Sequence, residues 1–466
     1  MYKLHLILKY LRKRRIAWVS LIAVMLCTTL VLVVISVMGG WLRMFRESFH
    51  GLTGDILIRG RSLTGFAHYE EVLNGVRALP EVSAAVPTIR TFGMINIGSR
   101  IKEGVQVVGL PIDQIGQVNE FPNSTYRQHL QYIEEKKPLP ASRPSFDLIP
   151  GVPYDKIANN KPEAKDWPGM IVGVGLVFDK GRDGKWQRSD ILYEQWAKLT
   201  VMGMSADNVS IDKTDFVENR YWIVDDSYTG AWQYDSKAVY VPFNVLQRDL
   251  GMEAYGDDPA RATDIQVKVK PGADLLAAKE KIQAVVDAVI NRPDYPLGSM
   301  VTVETWQEAN AMFLGAVEKE TVLMTFLFGM ISLVAVFLIF CIFYMIVVEK
   351  TKDIGIVKSV GATSAGVAGI FLGYGLAIGV VGGLLGLGIA YVIVRYINEI
   401  HTALGTLFGL KIWDPEVYAF DVIPNRMDPP TVIIIVCVAI VSSVLGALVP
   451  ALRAAQLNPV EALRFE

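Results

Sequence analysis

Side chains that could do acid–base, nucleophilic or metal chemistry are thinly spread in this sequence of 466 residues. Adjacent carboxylates occur at Asp225-Asp226 and Asp257-Asp258, a type that can hold a metal, but with no ligand partner in the sequence they read as loop charges. The histidines, His5, His50, His68, His129 and His401, are scattered and form no metal spacing. The cysteines, Cys27, Cys341 and Cys437, lie inside apolar segments, so no disulfide framework is expected. No Ser/His/Asp, Cys/His or paired-carboxylate arrangement can be defended, and there is no G-x-x-x-x-G-K-[ST] phosphate loop. The chemistry expected is therefore not that of an enzyme. The distinctive feature is a charged island at 349–363, Glu349-Lys350-Thr351-Lys352-Asp353-Ile354-Gly355-Ile356-Val357-Lys358-Ser359-Val360-Gly361-Ala362-Thr363. It is long enough for about three helical turns. Ile354, Val357, Val360 and Gly361 fall on one apolar or small face, leaving Lys350, Lys352, Asp353 and Lys358 to solvent or headgroups. Gly361 is a helix stop, and Thr363 or Ser364 caps the next helix. A surface helix of this kind is a lever that a soluble partner can grip, although an ordinary connecting loop has the same composition.

The elements that position the island are apolar. Val322–Val348 before it and Ser364–Val394 after it carry no charge, and roughly 20 apolar residues suffice to cross a bilayer. The 52% hydrophobic content and mean hydropathy of +0.33 exceed what soluble proteins usually carry. A net charge of −2 argues against a nucleic-acid partner. Residues 1–15 place Leu4, Ile7, Leu8 and Leu11 on one face and end in Arg12-Lys13-Arg14-Arg15, an interfacial amphipathic helix. A first transmembrane helix follows at 16–41; it is longer than the core of a signal peptide and ends without a small-x-small cleavage site. Further spans are expected at 321–348, 364–394 and 431–452. The basic residues put both termini and the island in the cytoplasm. The segment 395–430 becomes a short outer loop and 453–466 a cytoplasmic tail.

Between the first two spans, residues 42–320 form a large outer domain. Its ends read as split βαβ halves, about 52–115 and 262–306, around an inserted β-rich subdomain at about 116–261. The fold class is an α-helical membrane protein with four transmembrane helices and a large extracytoplasmic α+β domain inserted between helices one and two. Helix one is expected to run on past Trp41 through Phe45 and Phe49, and residues 306–320 to lead unbroken into helix two, giving a stiff stalk. In helix three Gly375, Gly379 and Gly383 recur at spacing four, which lets helices approach closely in lipid, within one chain or across a dimer seam. Met38, Trp41 and Phe45 on helix one, and Phe326, Met330, Val334 and Phe337 on helix two, form two stripes suited to acyl chains or simply to lipid. No charge lies within the four spans, as a cavity for lipid tails rather than ions requires.

Glu349-Lys350 followed by Asp353-Ile354-Gly355-Ile356-Val357-Lys358 and Gly361-Ala362 resembles the coupling-helix signature of FtsX/MacB-type (type VII) ABC transporter permeases. The tail, Pro450–Ala455 and Asn458–Arg464, is similar to that family's C-terminal signature. Lys9–Arg12, Ser36–Gly40, Trp306 and Tyr418–Pro424 resemble the lipoprotein-releasing LolC/LolE branch. The resemblance fades between about 115 and 260. It implies that the island sits in a groove of a separate ABC ATPase subunit dimer, which binds ATP and Mg; this chain itself carries no cofactor. It further implies a second permease chain, identical or paralogous, a periplasmic lipoprotein carrier, and a lipoprotein or other hydrophobic cargo drawn from membrane lipid of the bacterial inner membrane. A MacB-like exporter of hydrophobic peptides or antibiotics, and an FtsX-like mechanotransmitter activating a cell-wall hydrolase, share the architecture.

Overall fold

The computed structural model describes residues 15–62, 64–97, 101–125, 145–148, 153–180, 186–188, 196–202, 216–293, 295, 300–408, 413 and 422–458. Residues 1–14 of the interfacial helix expected at 1–15, most of Tyr418–Pro424 and the end of the C-terminal signature lie outside them. The helices are α1 (Arg15–Thr53), α2 (Tyr69–Arg77), α3 (Phe243–Asp249), α4 (Leu275–Ile290), α5 (Trp306–Ala309), α6 (Ala311–Glu349), α7 (Thr351–Ser359), α8 (Ser364–Arg395), α9 (Ile397–Phe408) and α10 (Pro429–Gln456). Shorter turns of helix are left unnumbered. The strands of the main sheet are β1 (Ile56–Gly60), β2 (Val82–Ile97), β3 (Ile101–Leu110), β4 (Gly169–Gly173), β5 (Trp196–Met202), β6 (Phe216–Ser227), β7 (Ala238–Pro242), β8 (Asp264–Val269) and β9 (Val301–Thr305). The chain divides into two compact units, Phe45–Leu314 with Gly405–Val422, and Met1–Met44 with Gly315–Leu404 and Ile423–Glu466.

The first unit is built on one nine-stranded sheet in the order β9-β1-β8-β2-β3-β7-β4-β6-β5, with β5 also pairing back onto β2. The βαββ…βαβ order expected from the sequence is present as β1-α2-β2-β3 and β8-α4-β9. The inserted segment, however, is not a β layer of its own. Val82–Thr88 of β2 pair with β8, while Ile89–Ile97 pair with β3 and Gly93–Ile97 also with β5. The strands β2, β3, β7, β4, β6 and β5 therefore form a closed ring that shares β2 with the four-stranded layer. Closing the ring leaves no edge along these strands, which removes the cost of unpaired backbone groups. One buried cluster joins Ile56, Ile58, Ile265 and Val267 of the layer to Val72, Val76, Ile282 and Val286 of α2 and α4. The other joins Val108, Leu110, Trp222 and Tyr240 to Phe121, Tyr154 and Trp167 of the covering turns. Trp222 is fully buried, and its indole Nε1 donates to the Ala164 carbonyl at 2.7 Å.

Four helices among the described residues are long and apolar enough to cross a membrane, each mostly within the second unit: Trp18–Thr53, Leu314–Glu349, Ser364–Arg395 and Pro429–Gln456. Two expectations need correction. Residues 306–320 are not one helix with the span, because α5 stops at Asn310, whose φ and ψ are −110° and 17°. The Thr305 and Glu308 capping box sets only the start of this short helix; at its end the Asn310 side-chain amide donates to the Trp306 carbonyl at 2.8 Å. Nor is 395–430 all loop, since α9 occupies Ile397–Phe408. The Asn398 side chain donates to the Ile423 carbonyl and accepts from the Ile423 amide, both at 2.9 Å.

Candidate functional site

The island folds as α7, and its end is set by one glycine. The Ala362 amide donates to the Val357 carbonyl at 3.1 Å and the Gly361 amide to the Lys358 carbonyl at 3.0 Å. That paired closure needs a left-handed residue just past the helix, and Gly361 supplies it with φ +104°. The Thr363 hydroxyl then accepts from the Gly366 amide and starts α8. The helix is thus bracketed by Lys350, with φ −102° and ψ 11°, at its start and by the Gly361 closure at its end.

The single apolar face expected of the island divides in two. Ile354 is buried with Val347, Val367 and Ala454, and Ala362, Phe371 and Leu457 pack around them. Val357 and Val360 point outward with Ile356, at 38%, 84% and 52% exposure. Glu349 is exposed and Lys350 pairs with Asp353. Lys358 is not left to solvent: its Nζ donates to the carbonyls of Ala455 and Leu457 at 2.8 and 2.7 Å. Those carbonyls belong to the C-terminal end of α10, where helix geometry provides no internal donor. Near the same end the Arg453 guanidinium lies 4.9 Å from the centre of the Tyr344 ring on α6.

The glycines of α8 are set against this chain's own helices. A Cβ at Gly375 would stand 2.7 Å from Ala447 Cβ, and one at Gly379 would stand 2.9 Å from Ser443 Cβ and 3.0 Å from Ile440 Cα. Gly383 faces only an ordinary contact, 3.7 Å from Val436. The series therefore does not act as a unit. Gly382 and Gly386, which spacing also pairs, press instead on Val24, Met25 and Thr28 of α1. Hydroxyls reinforce both contacts: Ser443 Oγ donates to the Gly375 carbonyl at 2.9 Å and Thr29 Oγ1 to the Gly386 carbonyl at 3.1 Å.

The two apolar stripes differ in exposure. Trp41 and Phe45 are buried, at 7% and 0% exposure, and Met38 is partly buried. Phe326, Met330, Val334 and Phe337 are all more than half exposed. Only the α6 stripe is an open apolar surface; nothing in the sequence separated the two, because lipid-facing and buried helix positions are equally apolar.

Comparison with known proteins falls on this same region. The FtsX-like permease C-terminal family matches residues 325–459, which contain the island and the glycine contacts of α8 with α10. Over 325–459 the chain is therefore similar to the FtsX-like permeases. Three relatives are similar to it. The lipoprotein-releasing system transmembrane protein LolC of Neisseria meningitidis serogroup B is 24% identical over 98% of each chain. LolC of Xylella fastidiosa is 31% identical over 35% of this chain and 40% of its own. The uncharacterized ABC transporter permease YknZ of Bacillus subtilis is 27% identical over 51% of this chain and 52% of its own.

In the unit formed mainly by Phe45–Leu314, the permease has a polar junction that motif reasoning missed. His50 Nε2 at the end of α1 lies 2.6 Å from Asp55 Oδ1, and Lys268 Nζ lies 3.3 Å from the same oxygen. Asp55 Oδ2 accepts from the Val269 amide at 2.8 Å, and the Asp55 carbonyl accepts from the Trp306 amide at 3.0 Å. The His50 and Trp306 rings are 5.0 Å apart. Burial pushes the Asp55 carboxyl up, but His50, the Val269 amide and Lys268 together pull it below the usual carboxylate range. Trp306 was visible as a branch feature; Asp55 carried no signal, because its partners lie far apart in sequence. Asp225 and Asp226 are not loop charges as expected. They end β6, fully buried, in register with Ile171 and Val172 of β4. Asp258 sits in a turn and pairs with Arg261 at 3.1 Å. No cluster of three metal-ligating side chains occurs among the described residues.

Proposed function

We propose that this permease is the membrane subunit of an ABC transporter that extracts lipoproteins from the outer leaflet of the bacterial inner membrane and hands them to a periplasmic carrier. A separate ATPase dimer supplies the energy, binding ATP and Mg, and a second permease chain, identical or paralogous, completes the translocator. The observation that carries this reading is the similarity to LolC, which runs through 98% of both chains. The geometry of α7 supports a coupling role. The island 349–363 presents Glu349, Val357 and Val360 outward while Ile354, Lys358 and Ala362 hold it against the other helices. Asp353 steadies the start of the helix through Lys350, and Gly361 fixes its end.

The energetics favour a carrier. Each buried methylene is worth about 0.8 kcal/mol, so a triacylated lipoprotein with roughly 45 methylenes is held by tens of kcal/mol. Release into bare water is out of reach of a nucleotide-driven step, and a protected transfer is required. The exposed α6 stripe, Phe326, Met330, Val334 and Phe337, offers flexible and flat apolar surface for acyl chains. Both termini and the island are cytoplasmic in this scheme, and Phe45–Leu314 is periplasmic.

The decisive experiment is ATP-dependent release of a lipoprotein from liposomes containing the permease, its ATPase and the carrier. Asp353→Lys and Gly361→Val should abolish release while leaving membrane insertion intact. Photo-crosslinkers at Phe326 and Met330 should capture the lipoprotein without nucleotide and lose it when ATP is added. Release at the normal rate from both variants, or capture of bulk lipid alone, would refute this function.

A further inference from the structure

The family signature contains Lys358, yet its ammonium does not face outward with Val357 and Val360. It reaches across to α10 and donates to the carbonyls of Ala455 and Leu457, at 2.8 and 2.7 Å. The α10 helix ends at Gln456, and its C-cap residue Leu457 is extended, with φ −57° and ψ 130°. The Ala455 carbonyl is among the last four of the helix, which have no intrahelical donor, and the partial negative charge of the helix end gathers there. A lysine from a different helix therefore supplies the C-terminal cap of α10.

The neighbouring contacts give this bond its meaning. Ile354, one turn before Lys358, is buried against Ala454 of α10 as well as Val347 of α6 and Val367 of α8. α7 is already joined to α6 through Lys350 and to α8 through Gly361 and Ala362, so those helices must follow it by chain connectivity. Connectivity does not bind α10. Apolar contact at Ile354 and Ala454 is non-directional and permits sliding. The two charge-assisted hydrogen bonds from Lys358 are directional and fix the register.

We propose that Lys358 is a positioning residue that makes α10 move with the island, so that a displacement of α7 is delivered to three helices instead of two. The inference rests on the island being where the ATPase acts, and it assigns Lys358 to the inner, helix-facing side of that contact.

The test uses the full permease co-purified with its ATPase, with Cys27, Cys341 and Cys437 replaced and spin labels at the exposed positions Lys352 and Gln456. In the parent the distance between the labels should be narrowly distributed and unchanged between nucleotide-free and ATP-bound states. Lys358→Met keeps the stem and removes the donors; it should broaden that distribution, and Lys358→Arg should restore it. In liposomes Lys358→Met should keep ATP hydrolysis but release about tenfold less lipoprotein per ATP, the scale of losing a charged hydrogen bond. A narrow distribution in Lys358→Met, or loss of ATPase co-purification from that variant alone, would overturn the proposal, the latter because it would place Lys358 on the partner. If the parent releases no lipoprotein, the proposed function fails, while the nucleotide-free distance measurement still decides the role of Lys358.

Discussion

Two junctions of this permease solve similar problems with different chemistry. At the island, α7 is held by a small apolar cluster around Ile354 and by a lysine that grips backbone carbonyls. At the junction of α1, β1 and α5, Asp55 gathers His50, Lys268, the Val269 amide and, through its own carbonyl, the Trp306 amide. In the first, the acceptors are peptide carbonyls, which do not titrate. In the second, the acceptor is a carboxylate beside a histidine, and its strength depends on protonation. The contrast teaches that the island junction is a mechanical coupling set by packing and register, whereas the Asp55 junction is an electrostatic clasp that responds to acidity.

The largest effect should come from the helices that carry the island. Gly379→Leu places a side chain where even a Cβ would stand 2.9 Å from Ser443 Cβ and 3.0 Å from the Ile440 backbone. Overpacking of this kind costs about 3 kcal/mol or more, and the detergent-solubilised permease should lose much of its thermal stability. Gly383→Ala, which meets only ordinary contact, should melt like the parent. Equal melting of both variants would remove packing as the basis of the island junction.

A smaller loss is expected at the island itself. Ile354→Ala empties part of the cluster with Val347, Val367 and Ala454 and should cost about 2 kcal/mol. The loss should not vary between pH 5 and 8, because no titratable group belongs to that cluster. A pH-dependent difference in melting between parent and variant would break the contrast between the junctions.

The smallest effect at neutral pH, and the most pH-dependent, is Asp55→Asn, expected to cost about 1 kcal/mol. Because the folded Asp55 carboxyl titrates below its unfolded value, its contribution is complete above the ordinary carboxylate range. It declines as pH falls from about 4 through the lower folded value. The parent should therefore converge on the variant in acid, measured by melting of the unit formed mainly by Phe45–Leu314. A difference that persists unchanged to pH 2 would show that Asp55 acts by shape and not by charge.

How far the sequence disclosed this molecule depends on how local each interaction is. The apolar spans, the Gly361 stop and the Thr363 cap arise from runs and neighbours within a few residues, and they stand where periodicity puts them. The break at Asn310 is equally local, yet it interrupts a helix that periodicity alone carried through. The ring closure was hidden, because pairing Gly93–Ile97 with Ala197–Val201 leaves no mark on either strand's own alternation. The direction of Lys358 was hidden for a related reason. Its acceptors are backbone carbonyls, which every residue has, so no residue type announces them. Trp41 and Phe45 turned inward because an apolar side chain on a spanning helix looks the same whether it meets lipid or protein.

The placement of β1 also dictates an order of assembly. Its residues Ile56–Arg59 pair with Asp264–Val267 on one side, and Ile56–Gly60 pair with Val301–Thr305 on the other, so both neighbours come from beyond the inserted segment. The ring can close with strands drawn from 82–242 alone. Contacts between distant segments form slowly, since the intervening chain must first be gathered in. During synthesis the first long apolar helix is therefore followed by a strand that has no partner until residues 264–305 have emerged. Pulse-labelled hydrogen exchange during refolding should find the amides of Ile56–Gly60 among the last to gain protection, after those of the ring. The four-stranded layer then acts as a latch in time: it shuts only after the chain between its halves has been delivered, so an incompletely made chain is left with β1 unpaired.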